Sequence, residues 1–281
     1  MKVIENKIFD EERALYHSEN LIINNIKIMG PQDGESALKE SRNIIVNNSL
    51  FDLRYPFWHV NKLELNNSKL TTNSRAGIWY SKDLKITKST LEGVKVIREC
   101  SLVEAKDCKI NSTEPFWYCD NVRINGGELS GEYAFLNSKN ITIKNLQFCG
   151  KYSFQYVENL TIEDSYLDTK DAFWGSKNIT VKNSVIKGAY LAWYSENLHL
   201  INCKIEGTQP LCYCKNLVLE DCEMIDCDKS FEYSDVKATI KGDILSVKNP
   251  NSGFIKAKTI SEIIIDEYAV KGNNCKIETI E

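Results

Sequence analysis

The chain has no basic excess: 35 Lys and Arg stand against 39 Asp and Glu, for a formal charge of −4. Nucleic-acid surfaces leave an electropositive footprint, so no nucleic-acid partner is expected. No stretch approaches the roughly 18 apolar residues of a membrane-spanning helix, and no membrane association is expected. The opening MKVIENKIFDEER lacks the apolar segment of a secretory signal. A cytoplasmic location is the expectation, and with it ten cysteines held as reduced thiols. Paired C-x-x-C knuckles are missing, as is any helix-length run of 3.6-residue periodicity. No compositional break marks a linker, so residues 1–281 are read as one domain. What is present, 42% hydrophobic and 26% charged residues over 281 positions, is a soluble globular composition with material for a large core.

The informative feature is a repeat. SKNITIKNLQF at 138–148, VENLTIEDSYL at 157–167, SKNITVKNSVI at 176–186 and SENLHLINCKI at 195–205 return every 19 residues. The motif asparagine serves as anchor: Asn121, Asn140, Asn159, Asn178, Asn197 and Asn216, with Asp83 and Leu102 in the same register and Asn20, Asn43 and Lys62 upstream across insertions. Lys237 and Glu262 can anchor two weaker units.

Apolar residues stand one and three positions after the anchor, as in Ile141 and Ile143, which is the period-two signal of a strand. A further apolar column follows eight after it, and Phe57, Phe116, Phe135, Phe154 and Phe173 stand fourteen after it. Three short buried segments per unit, with asparagine at the corners, predict an all-β, single-stranded right-handed parallel β-helix of about 11–13 coils. Helical repeats need units above 30 residues. Residues 1–19 are expected as lead-in and cap, and about 234–281 as degenerate terminal coils. Stacked anchors predict a ladder of side-chain amides.

Cysteines 108, 203 and 222 share a column with serines, and 100, 119 and 214 share another small-residue column, which reads as packing. A zinc site from Cys212, Cys214, Cys222 and Cys227 is the alternative, but C-x-C spacing is weak support for it. No metal or cofactor is expected.

All five tryptophans fall fifteen after the anchor, once two inserted residues before Trp79 are allowed: Trp58, Trp79, Trp117, Trp174 and Trp193. Lys39 and Arg98 share that column, so it is not sealed in a core. The next column carries Tyr80, Tyr118, Tyr156 and Tyr194. Strict alternation would turn one column inward, so a bend or bulge is expected between them. Either the rings stabilise stacked coils, or they present flat apolar surfaces to sugar rings, with polar groups between them. The same column places His17, Glu40 and His59 on successive coils and Glu99 two coils further. Glu40 is positioned to hydrogen-bond either imidazole and tune it toward general-base chemistry; a salt-bridge network, with Arg13, Glu35, Arg54 and Arg75 nearby, is the competing reading, and a His/Glu/His metal site a third.

GESALKESRNI at 34–44, RYPFWHV at 54–60, IREC at 97–100, KYSFQYVENL at 151–160, DTKDAFW at 168–174 and GTQPLCYCKNL at 207–217 resemble the bacterial domain-of-unknown-function family 3737. The resemblance runs from residue 11 to 236. It implies a single-domain, right-handed parallel β-helix of the pectin-lyase-like type and no known activity. The aspartate clusters of polysaccharide lyases and polygalacturonases are not matched; Asp168 and Asp171 come closest and read as a turn. Three functions remain open: binding of an oligosaccharide or other sugar-containing ligand along the aromatic stripe, with acid/base chemistry at the His17, Glu40, His59 and Glu99 cluster; a scaffold whose stripe docks a partner or a second copy as a homodimer; and an enzyme acting on a small metabolite at the charged N-terminal end.

Overall fold

The computed structural model describes residues 1–30, 36–270 and 274–279. Glu35 lies outside the described residues. The chain divides into two compact units, 1–142 and 143–281. Each is built as a right-handed parallel β-solenoid on the 19-residue spacing, about 14 turns in all, with no helix among the described residues.

In the first unit, Lys2–Glu5 pairs in parallel with Glu19–Asn24, and the ladder continues through Arg42–Asn47, Asn61–Asn66, Lys82–Thr87, Ser101–Thr113 and Asp120–Glu132. Pairing joins repeat equivalents: Leu21, Ile44, Leu63, Leu84, Val103 and Val122 stack in one column, each at most 2% exposed. The N-terminal residues already pair in this register, Lys2 with Leu21. In the second unit the equivalent ladder runs through Glu158–Glu163, Lys177–Lys182, Glu196–Ile201 and Leu217–Ile225.

Toward the C-terminus the spacing drifts. A register shift separates Leu219 from Cys222, Asp235 pairs with Ser252, and Ser252 pairs with Asn274. The position after Asn216 pairs with Val236, so the anchor column passes to Asp235 and then Ser252, not to Lys237. Glu262 belongs to a separate two-stranded sheet, Asp243–Lys248 with Thr259–Ile264. Degeneracy in the sequence hid this shift, because no asparagine marks the corner there.

The corners explain the anchor. Asn20, Asn43, Asn121, Asn159, Asn178, Asn197 and Asn216 all adopt φ between 53° and 59°, a left-handed conformation that asparagine tolerates better than most residues. Their amides form the expected ladder: Asn178 donates to Asn159 (3.1 Å), Asn197 to Asn178 (2.9 Å) and Asn216 to Asn197 (3.0 Å). Each such bond contributes about 0.5–1.5 kcal/mol net and fixes the register. Inside, Phe57, Phe116, Phe135, Phe154, Phe173 and Phe231 are fully buried. Phe116 stacks on Phe135 with centroids 4.7 Å apart, and Phe154 on Phe173 at 5.2 Å. Eight of the ten cysteines are buried; burial pushes the thiols of Cys100 and Cys212 up to about 12. Among the described residues, no three His, Cys, Asp or Glu side chains converge closely enough to hold a metal ion.

Candidate functional site

The sixteenth position after each anchor settles how two adjacent columns both reach the surface. His17, Glu40, His59, Tyr80, Glu99 and Tyr118 in the first unit, and Tyr156, Gly175, Tyr194 and Tyr213 in the second, all have φ between 51° and 62°. A left-handed residue reverses the strand alternation, so the column before it also points outward. The expected bend is therefore one residue long. The tryptophans are half-buried, while Tyr80, Tyr118, Tyr156 and Tyr194 are 43–52% exposed.

The fourteenth position divides the coils into two kinds. In most of them it too is left-handed, as at Leu38, Phe116, Phe135, Phe154 and Phe173. Its N–H then bonds back to the preceding coil: Phe135 to Pro115, Phe173 to Ser153. Three consecutive coils differ. Phe57 and Ile78 are absent from the left-handed set, and their N–H groups bond forward, Phe57 to Gly77 and Ile78 to Val96. This opposite peptide orientation builds a third parallel sheet from Phe57–Trp58, Ile78–Trp79 and Ile97–Arg98. The cause is local: Ile78 and Ile97 are β-branched where the left-handed coils carry Leu, Phe or Ala, and φ above zero is a genuine outlier for a β-branched side chain. Phe57 follows by pairing with Ile78.

That small sheet holds Trp58, Trp79 and Arg98 in register. Trp58 stacks on Trp79 at 5.4 Å and 7°, and His59 on Tyr80 at 5.1 Å and 14°. Lys39 places its ammonium 4.5 Å from the Trp58 ring centroid. Arg98 lies 5.7 Å from the Trp79 centroid and 5.4 Å from that of Trp117, and donates Nε–H to Glu99 Oε1 at 2.9 Å. Trp79 also turns its indole N–H toward Glu99, at 3.4 Å. Burial, followed by the Glu99 charge, pushes the Tyr80 phenol above its usual range. Tyr80, Glu99 and Tyr118 sit on consecutive coils, Tyr80 N–H bonding Arg98 O and Glu99 N–H bonding Trp117 O. The tyrosines are thus about 10 Å apart along the stack, with the carboxylate between them. Tyr80, Arg98, Glu99, Cys100, Ser101, Tyr118 and Asp120 line a shallow depression of about 550 Å³.

The His17, Glu40 and His59 group is arranged otherwise than expected. Glu40 accepts a hydrogen bond from the Tyr16 hydroxyl at 2.7 Å and lies 3.8 Å from Lys39 Nζ. The Tyr16 bond holds the carboxylate below its ordinary range and raises the phenol in turn. Among the described residues neither imidazole hydrogen-bonds Glu40, and the His59 ring stacks on Trp58 and Tyr80. Glu99 is held by Arg98 and Trp79, apart from Glu40.

Tyr156, Trp174, Trp193 and Tyr194 belong to the second unit, where the rings close on one another. Trp174 packs against Trp193 (5.5 Å) and Tyr194 (5.3 Å), and Tyr194 stacks on Tyr213 at 4.6 Å. Gly175 leaves a gap that Tyr156 covers: a Cβ there would sit 2.8 Å from the tyrosine ring. The indole N–H of Trp193 is tied to Gln209 O at 2.8 Å, as in the first unit that of Trp117 is tied to Tyr133 O at 2.6 Å. Sequence reasoning missed Tyr55 and Tyr190, twelve after their anchors, which pack on Trp58 (5.6 Å) and Trp193 (5.4 Å). Tyrosine returning at 133, 152 and 190 was the available signal.

The description Protein of unknown function (DUF3737) matches residues 2–278. The chain belongs to this family. Comparison with curated proteins gives no match. Among solved structures, the chain is similar to PfbA, a surface adhesin of Streptococcus pneumoniae, at 10% identity over 93% of this chain and 74% of that one, with a TM-score of 0.37. It is also similar to tailspike protein 3 of bacteriophage CBA120, at 8% identity over 98% of this chain and 51% of that one, with a TM-score of 0.27. Likeness at this level carries no argument about function.

Proposed function

We propose that this DUF3737 protein binds saccharides at the depression between Tyr80 and Tyr118. The observation that carries the reading is an open depression set between two exposed tyrosines, lined also by Arg98 and Glu99, with Trp79 and Trp117 beside it. Sugar rings have apolar faces that pack on aromatic rings and hydroxyl edges that need directional partners, and this lining supplies both. The tyrosine spacing of about 10 Å accommodates one ring in contact with both, since two carbon–carbon contacts take up about 7–8 Å. No reaction is part of the proposal: Glu40, expected from the sequence to tune the His17 or His59 imidazole, is engaged by Tyr16 and Lys39.

The stacked Tyr194–Tyr213 ladder supports a second role for aromatics in the second unit, that of bracing coils. The test is a titration of intrinsic tryptophan fluorescence with gluco-, galacto-, manno- and xylo-oligosaccharides. A saturable change that disappears in Tyr118→Ala supports the reading. A flat response across the panel contradicts it.

A further inference from the structure

We infer that the saccharide taken at this depression is uncharged and is read through a pair of adjacent hydroxyls by Glu99 and Arg98 together, with uronates disfavoured. This rests on the saccharide reading above and adds the ligand's charge class and the two residues that decide it.

The argument begins with what each group has left to offer. Arg98 uses Nε–H on Glu99 and lays its guanidinium between two indoles. Among the described residues, its Nη hydrogens have no hydrogen-bond partner. The contacts of Glu99 with Arg98 and Trp79 both run through Oε1. A carboxylate has about four lone-pair sites, so Glu99 keeps acceptor capacity for a ligand beside its interaction with the Tyr80 hydroxyl. Guanidinium donors and a carboxylate acceptor therefore stand side by side. That is the complement of two neighbouring hydroxyls, one donating its proton to Glu99 and the other accepting from Arg98.

Charge decides against uronates. The Arg98 cation is already met by Glu99 at 2.9 Å, so its remaining hydrogens act as directional donors without a net positive field. The other charged group of the lining is Asp120, whose Oδ1 accepts from Asn140 at 2.7 Å and whose Oδ2 lies 3.8 Å from Lys139. With Arg98 set against Glu99 and Lys139 against Asp120, no cation of the lining is left to pair with a sugar carboxylate, which would enter as an unpaired anion beside two carboxylates. Like charges brought together in a partly desolvated site repel strongly.

Matched pairs that differ only at C6 test this: galacto- against galacturono-, gluco- against glucurono- and manno- against mannurono-oligosaccharides, each titrated calorimetrically into the full chain. The neutral member of the pair that binds is expected at least tenfold tighter than its uronate. Glu99→Gln should weaken the neutral sugar about tenfold, because a charge-assisted hydrogen bond becomes a neutral one, and should strengthen the uronate. Binding of a uronate as tightly as its neutral counterpart, or parallel loss of both in Glu99→Gln, overturns the inference while leaving saccharide binding standing. Binding of no member of any pair overturns the saccharide reading and this inference with it.

Discussion

The stretch from Tyr55 to Glu99 and the stretch from Tyr152 to Tyr233 present aromatic side chains from the same repeat, yet they do so by different means. In the first, two isoleucines at the fourteenth position keep the backbone extended, and a three-stranded parallel sheet carries Trp58, Trp79 and Arg98. In the second, Phe154, Phe173, Ala192, Leu211 and Phe231 are left-handed, and Trp174 and Trp193 come off turns. The indoles differ accordingly. Trp193 is tied to a backbone carbonyl, whereas Trp79 faces a carboxylate and the buried Trp58 Nε1 has no partner among the described residues. The difference teaches that the peptide orientation at one position per coil goes with whether the neighbouring indole is tied to a backbone carbonyl, as at Trp117 and Trp193, or is not, as at Trp58 and Trp79.

The largest effect should be common to both stretches and so mark the limit of the comparison. Phe57→Ala and Phe173→Ala each empty a fully buried site and should cost about 3–5 kcal/mol in urea unfolding; a difference between them beyond that range would mean the cores are not equivalent. The tryptophans should then separate the stretches. Trp193→Phe removes the indole donor from the Gln209 carbonyl, leaving it the weak Cys212 thiol donor, and should cost about 0.5–1.5 kcal/mol, whereas Trp58→Phe removes a buried N–H without a partner among the described residues and should cost less. Equal losses would erase the distinction between tied and untied indoles.

Smaller still is the effect of releasing the sheet. Ile78→Leu with Ile97→Leu keeps core volume and should cost under about 1.5 kcal/mol per site, but it removes the β-branching that opposes φ above zero. Protection of the Ile78 equivalent's amide, which bonds Val96 O, should fall in hydrogen exchange while the Leu84 strand is unchanged. Unaltered protection would show that neighbouring pairing, not branching, holds the sheet.

The smallest effect concerns Tyr16 and Glu40. The Glu40 pKa is depressed below 4.5 by the hydrogen bond, so its stabilisation is present above that value and lost as pH falls through the folded pKa. The Tyr16 pKa is raised above 10.0, so its stabilisation is present below that value and lost as pH rises through the folded pKa. Urea midpoints of the natural chain and Tyr16→Phe should differ only between these limits. A constant offset at pH 3 would assign the effect to packing.

Much of this was legible in the residues. Asparagine at nineteen-residue intervals gave the corners, phenylalanine the interior, and the tryptophan column the outward surface, because each column repeats one physical demand. The small third sheet was not legible, since it depends on the sign of φ at Ile78 and Ile97, and both backbone forms bury the same side chain. The Tyr16–Glu40 bond was hidden by the longer spacing from Asn20 to Asn43 and by its crossing between adjacent columns. Glu99 was singled out by its column alone; its pairing with Arg98 and Trp79 needed the geometry. At the C-terminus, Asp235 and Ser252 replace asparagine, and the anchor column could not be followed without the pairing.

The central claim is that the depression at the edge of the small third sheet, between Tyr80 and Tyr118, and not the aromatic ladder of the second unit, holds the ligand. Trp79→Ala and Trp193→Ala, titrated calorimetrically with the neutral oligosaccharide that the natural chain binds best, test it most directly. Loss of binding by at least tenfold in Trp79→Ala, with affinity kept within twofold in Trp193→Ala, is the predicted result. Retained affinity in Trp79→Ala together with loss in Trp193→Ala would contradict it.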